Sequence, residues 1–160
     1  MRQLEALARY IDFVNEWCGR GVAWLTVAMV VVTFAIVVLR YAFNVGSIAA
    51  QESVTYMHGL VFMLGAAYTF KHDGHVRVDI FYGKFSPRAR AWVDLLGALL
   101  LLLPVMGFIF IMSWDYVADS WRLLESSSET GGLPGIFLLK TAIPLMAVLM
   151  SLQGLALAAR

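Results

Sequence analysis

The chain has 160 residues, of which 61% are hydrophobic and 14% charged, with a net charge of +1; typical globular chains have about 45–50% and about 25%. Residues 22–39, 53–70, 95–114 and 141–159 carry no charged side chain, and each run is about long enough to cross some 30 Å of hydrocarbon as a helix. These features exclude a soluble domain, disorder and a membrane barrel of alternating strands; the near-neutral charge argues against a nucleic-acid partner, and Cys18, the one cysteine, excludes an internal disulfide.

The expected fold is all-α: a single membrane domain over residues 1–160 with four transmembrane helices and an N-terminal amphipathic helix at the cytoplasmic interface. Residues 1–21 place Leu4, Leu7, Ala8, Ile11, Val14 and Cys18 at helical spacing, with most charges off that stripe, the pattern of a helix lying flat on the membrane surface. No cleavable leader is evident, because the first apolar run follows a mixture of acids and arginines. The first span, 22–39, is bracketed by Arg20 and Arg40. The second, about 52–70, opens at Glu52 and closes at Lys71. Asp73-Gly74 can end that helix through a left-handed glycine, and His75 to Asp79 reads as an extended strap. Ser86-Pro87 resembles an N-cap followed by proline in the first turn, starting a third span at about 91–112. Ser126–Ser128 and Gly131–Gly135 form a turn into the fourth span, about 136–159. Pro104 and Pro144 are expected to kink the last two spans.

Nine Lys and Arg residues fall on the side of the termini and the 71–90 loop, and three on the other side. The excess places both termini and that loop in the cytoplasm. The opposite loop, 113–135, has four acids against one arginine.

Few side chains in the spans suggest chemistry. His58 and His72 stand 14 residues apart, a spacing that could suit two stacked haems, yet no other span offers a histidine ligand. A histidine hydrogen-bonded inside the bundle is the preferred reading of His58. Glu52 could carry a proton or sodium ion, but a carboxylate near a helix N-terminus is favoured electrostatically without any such role, and Arg40 or Lys140 could pair with it. Gln153 is expected to bridge to a neighbouring helix. Gly59, Gly65, Gly97, Gly107 and Gly154 are expected to let helices approach closely. Phosphate-binding loops, metalloprotease motifs and nucleophile elbows are lacking, so no enzyme activity, metal or cofactor is expected.

The sequence resembles the small membrane subunit, of DctQ type, of tripartite ATP-independent periplasmic (TRAP) transporters. The resemblance extends over nearly the whole chain. It rests on Glu52 opening the second span, Gly65-Ala66-Ala67, the cytoplasmic loop Gly74-His75-Val76-Arg77-Val78-Asp79, and Glu125 through Gly131-Gly132-Leu133-Pro134. It continues through Lys140, Pro144 and Leu152-Gln153-Gly154. Many members have a tryptophan shortly before the glutamate, where this chain has Ala49-Ala50-Gln51.

The resemblance implies a multi-pass protein of the bacterial inner membrane. It would be a non-catalytic scaffold packed on a large, ion-coupled permease subunit, helping a periplasmic substrate-binding protein to dock during uptake of an organic acid or similar solute. Glu52, His75, Arg77, Asp79 and Lys140 are the expected structural or partner-facing residues, and Glu125 and Glu129 the expected docking acids. The competing reading is a self-sufficient small ion-coupled exporter, acting as an oligomer with Glu52 as its coupling acid.

Overall fold

The computed structural model describes residues 2–76 and 79–159. The described residues form α1 (Arg2–Ala42), α2 (Ile48–Lys71), the short α3 (Asp79–Tyr82), α4 (Pro87–Gly97), a π-helical turn (Ala98–Leu102), α5 (Leu103–Arg122) and α6 (Ile136–Ala158). By length and composition, three stretches can cross a membrane: Glu5–Ala42, Pro87–Arg122 and Ile136–Ala158. The α2 helix has 24 residues, and at 1.5 Å per residue that is about 36 Å, also a spanning length. Its Thr55, Tyr56, His58, Tyr68 and Thr69 make it more polar than the other three.

The separate N-terminal helix expected from the sequence is not observed. Residues 2–42 are one helix, about 60 Å long at the standard rise. Its inward-facing residues explain why. Ala8, Ile11 and Asn15 are buried, and Cys18, Val22, Leu25, Met29, Val32 and Ile36 are partly buried, a three-and-four spacing that never changes phase. One unbroken stripe of this kind lets a single helix lie along its neighbours. Leu7, assigned to the stripe from the sequence, is exposed instead. Gly19 and Gly21 do not break the helix. Gly19 is buried, and a Cβ there would overlap the Tyr68 ring of α2. Gly19→Ala is therefore expected to destabilise the chain by about 1–3 kcal/mol through overpacking, whereas Gly21→Ala, whose methyl meets open space, should be neutral or stabilising. Thermal unfolding of the two variants in detergent distinguishes these outcomes.

Around α6 the other long helices assemble: α1, α2 and α5 all pack against it, and α1 also runs along α2. Apolar residues on every side suit α6 to this central place, where Ala142, Pro144, Ala147, Leu149, Met150, Gly154 and Ala156 are buried. Ala67 of α2 joins Leu149 and Met150 in one cluster, while Ala8 and Ile11 of α1 meet Ala156 in another. The start of α1 and the end of α6 consequently lie at the same end of the bundle, and the α5–α6 loop lies at the other.

The helix boundaries follow from local chemistry. The Ser47 hydroxyl accepts from Ala50 N to cap α2. Ser86 Oγ accepts from Ala89 N at 3.3 Å to cap α4, with Pro87 next to it, as the sequence indicates. The end of α2 differs from expectation. Asp73, not Gly74, takes the left-handed conformation (φ 57°), and Asp73 N and Gly74 N donate to Phe70 O and Thr69 O at 3.2 and 2.9 Å. This is a Schellman closure, and aspartate tolerates it because its short polar side chain is one of the few suited to that region. The expected strap does not reach Asp79, which begins α3; residues 77 and 78, which the strap was expected to include, lie outside the described residues. Pro104 cannot donate a backbone hydrogen bond to the preceding turn; the π-helical turn at Ala98–Leu102 ends two residues before it. Of the small residues, Gly59 and Gly154 do face a neighbouring helix, but Gly65, Gly97 and Gly107 have no neighbour where a Cβ would sit.

Candidate functional site

At the loop end, α5 stops with a second Schellman closure. Leu124 is left-handed (φ 44°), and Leu124 N and Glu125 N donate to Trp121 O and Ser120 O at 3.2 and 3.0 Å. The chain then doubles back as a small antiparallel turn. Ser126 bridges to Pro134, Ser127 N donates to Leu133 O at 3.1 Å, and Gly132 N donates to Glu129 O at 3.0 Å.

Glu52, reaching across from α2, closes this turn. Its Oε2 accepts from Leu133 N at 2.6 Å, and its Oε1 accepts from the Ser127 hydroxyl. The approach is so close that a Cβ on Gly132 would overlap Ser127 Oγ and stand 2.7 Å from Glu52 Oε2, which accounts for glycine there. The carboxylate thus holds a loop more than 70 residues away in sequence rather than pairing with Arg40 or Lys140.

Lys140 of α6 pairs with Glu125 instead. Its Nζ lies 2.5 Å from Glu125 Oε2 and 3.9 Å from the centre of the Tyr116 ring. Ser120 Oγ donates to the same carboxylate oxygen at 2.6 Å. Alongside, Trp121 Nε1 donates to Thr141 Oγ1 at 2.8 Å and the indole meets Phe137 edge-on at 4.7 Å. The hydrogen bond from Lys140, then that from Ser120, holds the Glu125 carboxyl below the usual glutamate range. A lowered folded-state pKa means the interaction is complete above the ordinary glutamate pKa of about 4.3 and is lost as pH falls through the lower value. Glu125→Gln is expected to unfold at a lower temperature than the parent at pH 7, with the difference shrinking toward pH 3; a constant difference would exclude the ion pair as its source.

At the terminal end, Glu16 of α1 gathers two cations and a histidine. Lys71 Nζ lies at 2.6 Å, His72 Nε2 at 2.8 Å and Arg20 Nε at 2.8 Å, and Lys71 also donates to Asp12 O at 3.2 Å. One level deeper, Asn15 Nδ2 donates to Gln153 Oε1 at 2.7 Å and Gln153 Nε2 donates to Asp12 Oδ1 at 3.0 Å. Gln153 is wholly buried, and its bridge to α1 is the role expected from the sequence. Tyr82 Oη donates to Asp94 Oδ2 at 2.7 Å, tying α3 to α4.

The structure therefore brings Glu52, Glu125 and Lys140 together at the loop end. Glu129 is exposed on the turn beside them. His75 is at the opposite end, with its ring 6.0 Å from that of Phe70. Arg77 lies outside the described residues, as does the side chain of Asp79. His58 departs from expectation: it is exposed on α2 and not hydrogen-bonded inside the bundle, because the inward faces of α2 toward α1 and α6 are taken by other residues. Asn15, Glu16 and Ser127 were not anticipated. Asn15 could have been found from its place in phase between Ile11 and Cys18.

The polar residues of these two clusters act as ties between helix ends, and no group of three potential metal-binding side chains occurs among the described residues. Fold and clusters together define a multi-pass α-helical membrane protein built for packing. Residues 29–160 match the family model described as "Tripartite ATP-independent periplasmic transporters, DctQ component", and the chain belongs to that family. It is similar to the C4-dicarboxylate TRAP transporter small permease protein DctQ of Vibrio cholerae serotype O1 (strain ATCC 39315 / El Tor Inaba N16961). The two are 28% identical over 110 residues, which cover 69% of this chain and 46% of that protein. The match thus spans about half the length of the curated relative.

Proposed function

We propose that the chain is a non-transporting scaffold: the small permease subunit that packs on a large, ion-coupled permease subunit in the bacterial inner membrane. In this reading α2 is a fourth span, both termini and the 71–90 loop are cytoplasmic, and the α5–α6 loop helps a periplasmic binding protein to deliver an organic acid or similar solute. The observation that carries the proposal is the use of Glu52. Both of its oxygens hold the α5–α6 turn, so the acid best placed to couple ion flow is engaged in architecture, which counts against a self-sufficient exporter. His75, Arg77 and Asp79 remain proposed contacts of the cytoplasmic loop, to this subunit's own helix ends or to the large subunit.

Docking by charge rests mainly on Glu129, since Glu125 is paired within the chain. A tagged chain expressed with its large subunit should co-purify with it. Glu129→Lys should leave co-purification intact but raise the binding-protein concentration needed for half-maximal uptake, most clearly at low salt, where rim charges chiefly affect association. An unchanged concentration and salt dependence would remove this loop from the docking surface, and a chain that purifies alone would contradict the scaffold role.

A further inference from the structure

The exposed faces of the long helices differ in chemistry. On α1, Val27, Val30, Val31 and Phe34 point outward; on α5, Val105, Phe108 and Ile111 do so. Such faces suit lipid. Thr26, also exposed on α1, returns its hydroxyl to Ala23 O at 2.6 Å. The outward face of α2 is different. Gln51, Thr55, His58 and Phe62 are all exposed, and their four-three-four spacing puts them on one stripe. Thr55 is back-bonded to Gln51 O at 3.5 Å, which leaves the His58 imidazole and the Gln51 amide as the groups whose polarity the chain itself does not use.

His58 is ten residues beyond Ile48 and thirteen before Lys71, about 15 and 20 Å along the helix, close to the middle. An imidazole at that depth is costly against hydrocarbon, and ionisable side chains in spans generally face protein or water. The described helices α1 and α6 pack on the other faces of α2, so a cover for His58 comes from outside this chain. It must also present a hydrogen-bonding group.

We propose that the Gln51–Thr55–His58–Phe62 stripe is the seat of a transmembrane helix of the large permease subunit, which carries a hydrogen-bonding side chain or an open backbone carbonyl opposite His58. The inference rests on the scaffold reading above and names the face through which the scaffold acts. Phe62, 73% exposed, supplies the apolar flank of the seat, and Gln51 a second polar contact nearer the loop end.

A photoreactive benzoyl-phenylalanine in place of Phe62, in membranes holding the whole transporter, tests the assignment. The expected product is an adduct containing the large subunit. An adduct of two copies of this chain, or adducts with lipid alone, would overturn it. His58→Leu gives an independent reading. The variant should be as stable as the parent when purified alone in detergent, yet its co-purification with the large subunit should fall about threefold, the scale of one interhelical hydrogen bond in a membrane, and His58→Gln should recover much of it. Undiminished co-purification of His58→Leu would also overturn the proposal. If the parent chain co-purifies and neither signal appears, the face is wrong and the scaffold role stands; if the parent itself does not co-purify, both fail.

Discussion

Glu52→Ala is expected to lower stability by about 3 kcal/mol. The variant removes a charged acceptor from two donors at once, the Leu133 amide and the Ser127 hydroxyl, and hydrogen bonds to charged groups contribute about 1.5–3 kcal/mol each. The loss should be local as well as global, because Glu52 ties the turn of residues 126–134 to α2 at two points. Proteolysis at the turn should therefore quicken along with the drop in thermal midpoint. Glu52→Gln keeps one carbonyl acceptor and should cost less, about 1–2 kcal/mol. Glu129→Ala, at an exposed position of the same turn, should leave stability unchanged. For transport, the Glu52 variants should lose uptake in proportion to the amount of assembled complex. Loss of uptake from Glu52→Gln in a fully assembled, equally stable complex would instead indicate a coupling acid.

The second large effect is expected at Gln153. Its amide joins Asn15 to Asp12 deep in the α1–α6 contact. Gln153→Leu removes the acceptor of a buried amide that already has its Oδ1 without a partner. Leaving buried polar groups unsatisfied costs about 1–3 kcal/mol each, so the variant should lose about 2–4 kcal/mol. The double variant Asn15→Leu with Gln153→Leu should recover part of this, because an apolar pair of similar shape leaves no stranded amide. Thermal midpoints of the two single variants and the double variant form the cycle that measures the coupling; strict additivity would show that the bridge contributes nothing.

The sequence was most informative where physical signals are local. Uncharged runs gave the apolar helices, Ser86-Pro87 gave the start of α4, and the depth of Gln153 in an apolar run gave its bridging role. The length of α1 was also legible, but only by following one stripe from Ala8 to Ile36. The composition changes near Gly21, from mixed charge to uncharged, and this marks a boundary between surface helix and span, whereas the packing face of α1 continues across it without a change of phase. The end of α2 was misplaced by one residue because glycine is the usual left-handed cap, whereas Asp73 takes that role here. The partners of Glu52 were not legible at all. Ser127 and Leu133 lie 75 and 81 residues away, and serine hydroxyls and backbone amides carry no charge pattern that would draw attention to them. Lys140 and Glu125 are, by contrast, 15 residues apart across one turn, so their pairing lies within reach of a local reading of the loop.

The scaffold role is tested most directly by reconstitution. The chain alone, the large subunit alone and the two together are placed in proteoliposomes with an imposed sodium or proton gradient, and binding-protein-dependent solute uptake and ion flux are recorded. The expected result is uptake only from the pair, with neither solute nor ion movement through this chain alone. Gradient-driven ion or solute flux by the chain alone, abolished by Glu52→Gln, would contradict it.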